Sequence, residues 1–226
     1  MKKEKIILVL NGEIPKKNKL NSILKKYGKI ICADGAANKV IKANINPDFI
    51  LGDFDSFQND INNNINMIEL SNQNLNDFQK ILIWLQTKNY KTIDIIGMDG
   101  KRIDHTIGNF AIVLEQISNF NLTIFTESGI FYTVKNEKTF KNVYNKYFSI
   151  FSPNKDNKIN TSGLNYELKE KTLNKIQEGT LNFANQNEVK IKTEQAILTF
   201  VSNEIKKKYF FFILIYNLKR VSRRYI

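Results

Sequence analysis

The chain has 226 residues but only one cysteine, one histidine, one tryptophan and three prolines. The single cysteine, Cys32, excludes an internal disulfide framework and a zinc site made of several thiolates, and it fits a reducing compartment. The apolar stretch near the N-terminus runs only from Ile6 to Leu10, which is too short for the core of a secretory signal. We therefore expect a first β-strand there and a cytoplasmic protein.

Two common nucleotide-binding signatures are absent as well. The sequence contains neither G-x-x-x-x-G-K-[ST] nor G-x-G-x-x-G. If a nucleotide binds, its phosphates must therefore be held by side chains, a metal ion and helix N-termini.

The net charge of +12 is concentrated at one end of the chain. Residues 206–226 contribute seven of these positive charges and no acid, which leaves +5 on the other 205 residues. A nucleic-acid-binding protein is expected to show a basic face with interleaved aromatic residues, and no such face is visible. We therefore expect no nucleic-acid partner, and a basic binding protein remains only the alternative from another functional class.

The first half of the chain alternates short apolar runs with segments of helical spacing. Helical i, i+3, i+4, i+7 spacing is clearest at Phe78–Leu85 and Ile107–Leu114. Strands that alternate with helices predict a mostly parallel sheet, which binds ligands at the carboxyl ends of its strands. The predicted strands are Ile6–Leu10, Ile30–Ala33, Phe49–Leu51, Met67–Leu70, Ile93–Ile96 and Leu122–Phe125.

The pattern changes after about residue 127, where short β-rich segments separated by polar turns predict a second, all-β domain. These segments are Ile130–Val134, Tyr147–Phe151, Leu164–Leu168, Val189–Ile191 and Ile197–Val201. We expect an α/β domain over residues 1–127, a β domain over residues 128–216 and a basic tail over residues 217–226. The apolar run 209–216 is too short to span a bilayer as a helix, and we favour a final strand there over a membrane-surface or dimer contact.

Aspartates follow several of the predicted strands. Asp34, Asp53, Asp55 and Asp104 come after strands, and Asp77 opens a predicted helix. In a parallel sheet these positions meet at one edge, where converging carboxylates need a cation to neutralise them. Hard oxygen ligands of this type suit Mg²⁺ shared with phosphates. A helix N-cap is the alternative for Asp34 or Asp77, and a surface turn is the alternative for the Asp53-Phe54-Asp55 segment.

Asp53 and Asp55 are two residues apart, so an extended chain would direct them to opposite sides. We expect Gly52 to provide the bend that lets both serve one site, since glycine adopts unusual backbone angles.

Basic residues suited to a polyphosphate accompany these acids. Lys101 and Arg102 follow Gly100, and Lys80 lies one helical turn after Asp77. Arginine offers a planar fork for phosphate, whereas lysine acts as a point charge. The alternative for Lys80 is a solvated helix face with an i,i+3 pair to Asp77.

The remaining reactive side chains have ordinary structural interpretations. His105 is interpreted as a polar structural residue slightly in preference to a catalytic base. We expect Cys32 in a buried strand and Trp84 in the core.

Together these segments resemble the thiamine pyrophosphokinase family in order and spacing. The strongest blocks are Gly-Asp-x-Asp-Ser and Gly-x-x-Gly-x-Arg-x-Asp-His, and a weaker match continues over residues 162–168 to Asn185, so the resemblance covers roughly residues 5 to 201. The matching segments are Ala33-Asp34-Gly35-Ala36, Gly52-Asp53-Phe54-Asp55-Ser56, Gln73…Asp77-Phe78…Lys80 and Gly97…Arg102-Ile103-Asp104-His105…Asn109.

The resemblance implies an N-terminal α/β domain, a C-terminal β-sandwich and a homodimer with its active site in a cleft between subunits. The thiamine hydroxyl would attack the β-phosphorus of ATP, giving thiamine diphosphate and AMP. Mg²⁺ would be bound by Asp53, Asp55 and Asp77, which with Arg102 would be the catalytic residues. The ATP site would be lined by Asp34, Gln73, Lys80, Lys101, Arg102, Asp104 and His105, and thiamine would contact Tyr166 and Asn185.

Three positions depart from the family pattern. Lys101 stands where a glycine is common, and Asn76 replaces a threonine but can still cap a helix. Ala184 replaces a serine in the thiamine-binding region, which removes a hydrogen bond worth about 1 kcal/mol. A related pyrophosphokinase acting on a pterin alcohol is the alternative within enzymes.

Overall fold

The computed structural model describes residues 5–54, 65–72 and 74–206. Its first part alternates strands with helices, as the sequence predicts. The elements are β1 (Ile6–Val9), α1 (Lys17–Leu24), β2 (Lys29–Ala33), α2 (Asp34–Lys42), β3 (Phe49–Gly52), β4 (Asn66–Glu69), α3 (Asp77–Thr87), β5 (Thr92–Ile96), α4 (Ile103–Gln116) and β6 (Asn121–Phe125).

These six strands form a parallel sheet in the order β4-β3-β2-β1-β5-β6. β1 is a continuous apolar run, and all of β1 and four of the five residues of β5 are buried, which is typical of parallel sheets covered by helices. All six predicted strands are confirmed within a residue or so at each end. The chain reverses its direction of travel across the sheet between β1 and β5, so their carboxyl ends form the topological switch point.

The second part is built of strands alone. They are β7 (Gly129–Val134), β8 (Glu137–Lys141), β9 (Lys146–Phe151), β10 (Ile159–Ser162), β11 (Asn182–Phe183), β12 (Glu188–Thr193) and β13 (Ile197–Ile205). β7 pairs antiparallel with β6, and β13, β9 and β11 continue the same sheet to ten strands. The other three form a separate sheet in the order β10-β12-β8.

A second hydrophobic core contains side chains from both sheets of this part, among them Val134, Phe148, Val189 and Ile191. The predicted combination of a mostly parallel α/β sheet with a C-terminal β-sandwich is therefore confirmed. The two parts are more continuous than the sequence suggests, because β6 and β7 are hydrogen-bonded neighbours in one sheet.

One predicted strand is wrong. Residues 164–168 contain only an isolated bridge, and the strand of this region is β10, which begins five residues earlier. Gly163 ends β10 with a φ of +89°, which glycine adopts without strain. The Glu167 carboxylate then accepts hydrogen bonds from the backbone N–H groups of Gly163 (2.7 Å) and Leu164 (3.2 Å), which stabilises a turn.

Helix α4 is confirmed, but the face that it buries differs from the predicted stripe. Ile112 and Val113 face the core, whereas Ile107 is 64% exposed and Ile103 is 72% exposed. The helix is apolar on more than one side, so its periodicity alone could not identify the core-facing side.

The structural interpretations of two other residues are confirmed. Cys32 is fully buried in β2. Trp84 packs against the ring of Phe49 at 5.1 Å between centroids. The predicted strand 209–216 lies outside the described residues. Within the described part of the chain, no helix has the length and apolarity needed to cross a bilayer.

Candidate functional site

Polar residues gather at the carboxyl edge of the parallel sheet. Asn11 follows β1, Asp34 follows β2, Asp53 follows β3, and the 97–102 loop follows β5. Open α/β sheets bind ligands at this edge, beside the switch point.

Asp34 and the end of β3 are in direct contact. Asp34 is only 4% exposed, and a Cβ atom on Gly52 would lie 2.7 Å from its Cγ. One carboxylate oxygen of Asp34 accepts a hydrogen bond from the Gly35 N–H at 2.5 Å. Asp34 and Asp53 are therefore brought to neighbouring strand ends, as predicted.

The bend after β3 is not at the predicted position. Gly52 is the last residue of the strand, whereas Phe54 has the left-handed φ of +66°. Glycine at position 52 is required by space, because Asp34 occupies the volume that a side chain would need. Asp55, the second predicted aspartate of this segment, lies outside the described residues.

The contacts continue to the end of β1. A Cβ atom on Gly35 would overlap the side chain of Asn11. Asn11 therefore packs on the first turn of α2, next to Asp34. The carboxyl ends of β1, β2 and β3 thus form one continuous polar surface.

Asp77 begins α3, and Asn76 caps it. The Asn76 side chain accepts a hydrogen bond from the Gln79 N–H (2.9 Å), and the Gln79 side chain accepts one from the Asn76 N–H (3.2 Å). This capping box leaves Asp77 as the first helical residue. The N-cap alternative is therefore wrong for Asp77, and also for Asp34, where Ala33 is the N-cap.

Lys80 is directed inward rather than into solvent. Its side chain is 5% exposed, and its Nζ lies 3.3 Å from an Asp77 carboxylate oxygen. The predicted i,i+3 pair is confirmed, and the solvated helix face is wrong. Desolvation of an ammonium group is costly, so Asp77 helps to hold this cation.

Arg102 and Asp104 form an exposed, two-contact ion pair at the start of α4. Arg102 Nη2 lies 2.5 Å from one Asp104 oxygen and Nε lies 3.1 Å from the other. The hydrogen bond from Arg102 lowers the pKa of Asp104 to about 2, and the same pair raises the pKa of Arg102. Asp104 therefore orients the guanidinium group, and His105 next to it is exposed.

Sequence reasoning missed the loop after β1. Lys39 of α2 donates to the Gly12 carbonyl oxygen (2.9 Å), and Lys101 donates to Asn11 Oδ1 (2.9 Å). The Gly12 N–H in turn donates to the Gly97 carbonyl oxygen at 2.7 Å, which ties this loop to the one after β5. The position of Asn11 directly after the first predicted strand was the signal that could have identified this loop.

Asp99 and Glu13 are also at this switch point. The Glu13 N–H donates to the Asp99 carbonyl oxygen at 2.6 Å. Burial raises the pKa of Asp99, and the charge of Glu13 adds to this effect. Carboxylates close together at this edge would be stabilised by nearby cations.

The predicted thiamine contacts lie in the second part of the chain. Tyr166 is 65% exposed, and Asn185 is exposed with its backbone N–H bonded to the Gly163 carbonyl oxygen (3.0 Å). Ala184, beside Asn185, is fully buried and bridges to Leu164. These residues flank β11, at the opposite end of the ten-stranded sheet from β3.

The donor set of the strand-end site is carboxylate oxygen, which suits Mg²⁺. Asp34 and Asp53 fit this chemistry through their adjacency, and Asp77 contributes the carboxylate at the start of α3. Within the described residues, no group of three His, Cys, Asp or Glu side chains is close enough to hold a metal ion by itself. Asp55 and Gln73, the other predicted members of the site, lie outside the described ranges.

Two family models match consecutive parts of the chain. One is described as "Thiamin pyrophosphokinase, catalytic domain" and matches residues 20–126. The other is described as "Thiamin pyrophosphokinase, substrate-binding domain" and matches residues 129–200. Together they span most of the chain. A comparison with curated protein sequences finds no match.

Solved structures of similar fold include three thiamine pyrophosphokinases. The Bacillus subtilis protein superposes with a TM-score of 0.69 at 19% identity, covering 89% of this chain and 100% of that one. The Candida albicans protein gives 0.70 at 20% identity, with coverages of 89% and 90%. The yeast protein gives 0.67 at 18% identity, with coverages of 89% and 87%. At these identities the likeness is one of fold.

Proposed function

The chain belongs to the thiamin pyrophosphokinase family, and from this premise we propose that it transfers a diphosphate group from ATP to the hydroxyl of thiamine. The products are thiamine diphosphate and AMP. The observation that carries the proposal is the contact between Asp34 and Gly52, which joins two carboxylate-bearing strand ends within the part of the chain that matches the catalytic-domain model.

We assign ATP binding to the carboxyl edge of the parallel sheet. Mg²⁺ would be held by Asp53, Asp55 and Asp77 with Asp34 beside them, and when bound it neutralises phosphate charge and orients the phosphates. Lys80, buried against Asp77, fixes one cation next to the Asp77 carboxylate. Gln73, Asp104 and His105 complete the predicted ATP-binding set, together with the lysine and arginine of the loop after β5.

The protein contributes mainly position and charge. Arg102 donates to Asp104 through Nε and Nη2, which holds the guanidinium group in place and leaves its other N–H donors for a phosphate. Phosphoryl transfer needs little covalent help from a protein, so charge stabilisation and alignment of the attacking hydroxyl supply most of the rate.

We assign thiamine binding to the second part of the chain, at Tyr166 and Asn185. Seven strand positions separate β2 from β11, which corresponds to about 34 Å at ~4.8 Å per strand. That path along the sheet is longer than a thiamine molecule, which argues against one molecule contacting both Asp34 and Asn185 of the same chain. The separation therefore supports a homodimer in which each site takes its nucleotide half from one protomer and its thiamine half from the other.

The outward face of α4 supports the same assembly. Ile103 and Ile107 are both largely exposed, next to Arg102 at the start of the helix. Exposed apolar patches beside a functional site often mark interfaces, so this face is our candidate for the contact between protomers. Cys32, a free and fully buried thiol, is compatible with the cytoplasmic location that we also propose.

The proposal is tested by incubating the protein with ATP, Mg²⁺ and thiamine and separating the products chromatographically. We expect AMP and thiamine diphosphate in equal amounts, and neither without thiamine. Formation of ADP instead would contradict the reaction type. AMP release that does not depend on thiamine but requires a pterin alcohol would contradict the assignment of thiamine as the acceptor.

A further inference from the structure

Lys39 and Lys101 direct their ammonium groups at the same short loop. Lys39 Nζ donates to the carbonyl oxygen of Gly12, and Lys101 Nζ donates to Oδ1 of Asn11, each at 2.9 Å. The two acceptors are consecutive residues at the end of β1. The lysines come from different elements, α2 and the loop after β5, so this approach exists only in the folded chain.

The positive charge of Lys39 is only partly compensated by Glu13. Burial lowers the pKa of Lys39, and the neighbouring Lys101 ammonium lowers it further, whereas Glu13 acts in the opposite direction. Among the residues that the structure describes, neither lysine forms an ion pair with a carboxylate. Two like charges held together in this way are stabilised when an anion binds between them.

The location is one where such an anion is expected. The loop after β1 and the loop after β5 flank the topological switch point of the sheet, where open α/β folds bind their ligands. The backbone at Gly100 also lies against the Glu13 side chain, so the lysine-bearing loop is packed in place. Lys101 itself is exposed and can turn towards a ligand.

We propose that Lys39 joins Lys101, which is already assigned to the ATP site, in a two-lysine phosphate subsite at the switch point, separate from the carboxylates at Asp34 and Asp53 and from Arg102. The subsite rests on the proposed function and binds a phosphate group of the nucleotide. That group belongs either to the terminal diphosphate of ATP or to the phosphate that leaves with AMP. In both cases the shared chemistry is a phosphate dianion held by two lysine ammonium groups.

The test is calorimetric titration of the full-length protein with AMP and, separately, with inorganic pyrophosphate. Lys39→Met and Lys101→Met keep the aliphatic stem and remove the charge, and Lys42→Met on the same helix is the matched control. We expect the Lys39→Met and Lys101→Met variants each to lose about tenfold in affinity for one of the two ligands, a loss of ~1.4 kcal/mol. Loss for AMP identifies the leaving phosphate, and loss for pyrophosphate identifies the transferred group.

The matched control and the charge-preserving Lys101→Arg variant are expected to bind like the unaltered protein. Unchanged affinity of both methionine variants for both ligands would overturn the subsite. Since Lys101 is exposed, its variant decides the matter if Lys39→Met fails to fold, as judged by thermal unfolding.

Failure of the subsite and failure of the proposed function give different results. Normal thiamine diphosphate synthesis with lysine-independent binding overturns the subsite and the assignment of Lys101 to the ATP site, but not the proposed reaction. Lysine-dependent phosphate binding without any thiamine diphosphate synthesis overturns the proposed function and supports a phosphate site at this position.

Discussion

The side chain of Asp34 occupies the space beside Gly52 where any other residue would place a Cβ atom. The Asp34 Cγ lies 2.7 Å from that position, and Asp34 is almost completely buried. Gly52 has an ordinary strand conformation, so its lack of a side chain, rather than its backbone freedom, is what the site uses. The register of two neighbouring strands thus decides where the carboxylate can lie.

Gly52→Ala is therefore expected to displace Asp34 and reduce kcat by at least tenfold. Overpacking of this kind costs ~1–3 kcal/mol of stability, which thermal unfolding will measure. Gly108→Ala is the control, because a Cβ atom there meets nothing within 4 Å. That variant should be as stable as the parent or more stable by up to about 1 kcal/mol, since alanine favours a helix over glycine. Full activity of Gly52→Ala would refute the role given to this contact.

Lys80→Met is expected to reduce kcat about 100-fold, because it removes a positioned cation from the phosphate site. Its free energy of unfolding should change by less than about 1 kcal/mol, since burying a charge is costly and its partner Asp77 is half exposed. Lys88→Met, just after the same helix, is the control and should retain full activity. If the loss in free energy of unfolding is as large as the loss of transition-state stabilisation calculated from kcat, the role of Lys80 is purely structural.

Arg102→Met is expected to raise the pKa of Asp104 from about 2 towards its ordinary value of ~3.9. The Asp104 pKa is depressed in the folded protein, so the ion pair is intact at neutral pH and is lost as the pH falls below 4 towards 2. Carboxyl NMR titration measures both values. The same substitution should reduce kcat/KM strongly at neutral pH, where Asp104 is ionised in both proteins. An unshifted Asp104 signal would contradict the pairing.

Ile107→Lys is expected to prevent the proposed homodimer from forming and to abolish turnover with it, because in the proposed arrangement each site draws residues from both protomers. Analytical ultracentrifugation will give the assembly state. Ile83→Lys provides the comparison, since Ile83 is also about half exposed but lies on α3. A fully active monomer would remove the argument for a shared site.

Ala184→Ser is expected to leave the KM for thiamine unchanged and to lower the free energy of unfolding by about 1–3 kcal/mol, because the new hydroxyl would be buried in a hydrophobic core. Ala184 is fully buried, so a side chain at this position does not reach a ligand bound at the surface. Thermal unfolding and steady-state kinetics with each substrate varied in turn will measure the two effects. A lower KM for thiamine at unchanged stability would show that residue 184 does contact thiamine.

The parallel sheet and most of its strands could be predicted because apolar runs and helical spacing are local properties. The segment 164–168 could not, because its apolar residues serve a turn that depends on Gly163 and on a carboxylate four residues away. The burial of Lys80 was also missed, since helical position does not reveal which neighbour covers a side chain.

The local pattern of residues was sufficient to predict the α/β class, the β-rich second part and the set of strand-end aspartates. All of these follow from short-range periodicity and from which residues come directly after each strand. The pairing of β6 with β7 into one sheet, the contact of Asp34 with Gly52 and the approach of Lys39 to Lys101 were decided by the tertiary structure. Each of them depends on which strands become neighbours, and strand order is set by packing between distant parts of the chain rather than by any short segment.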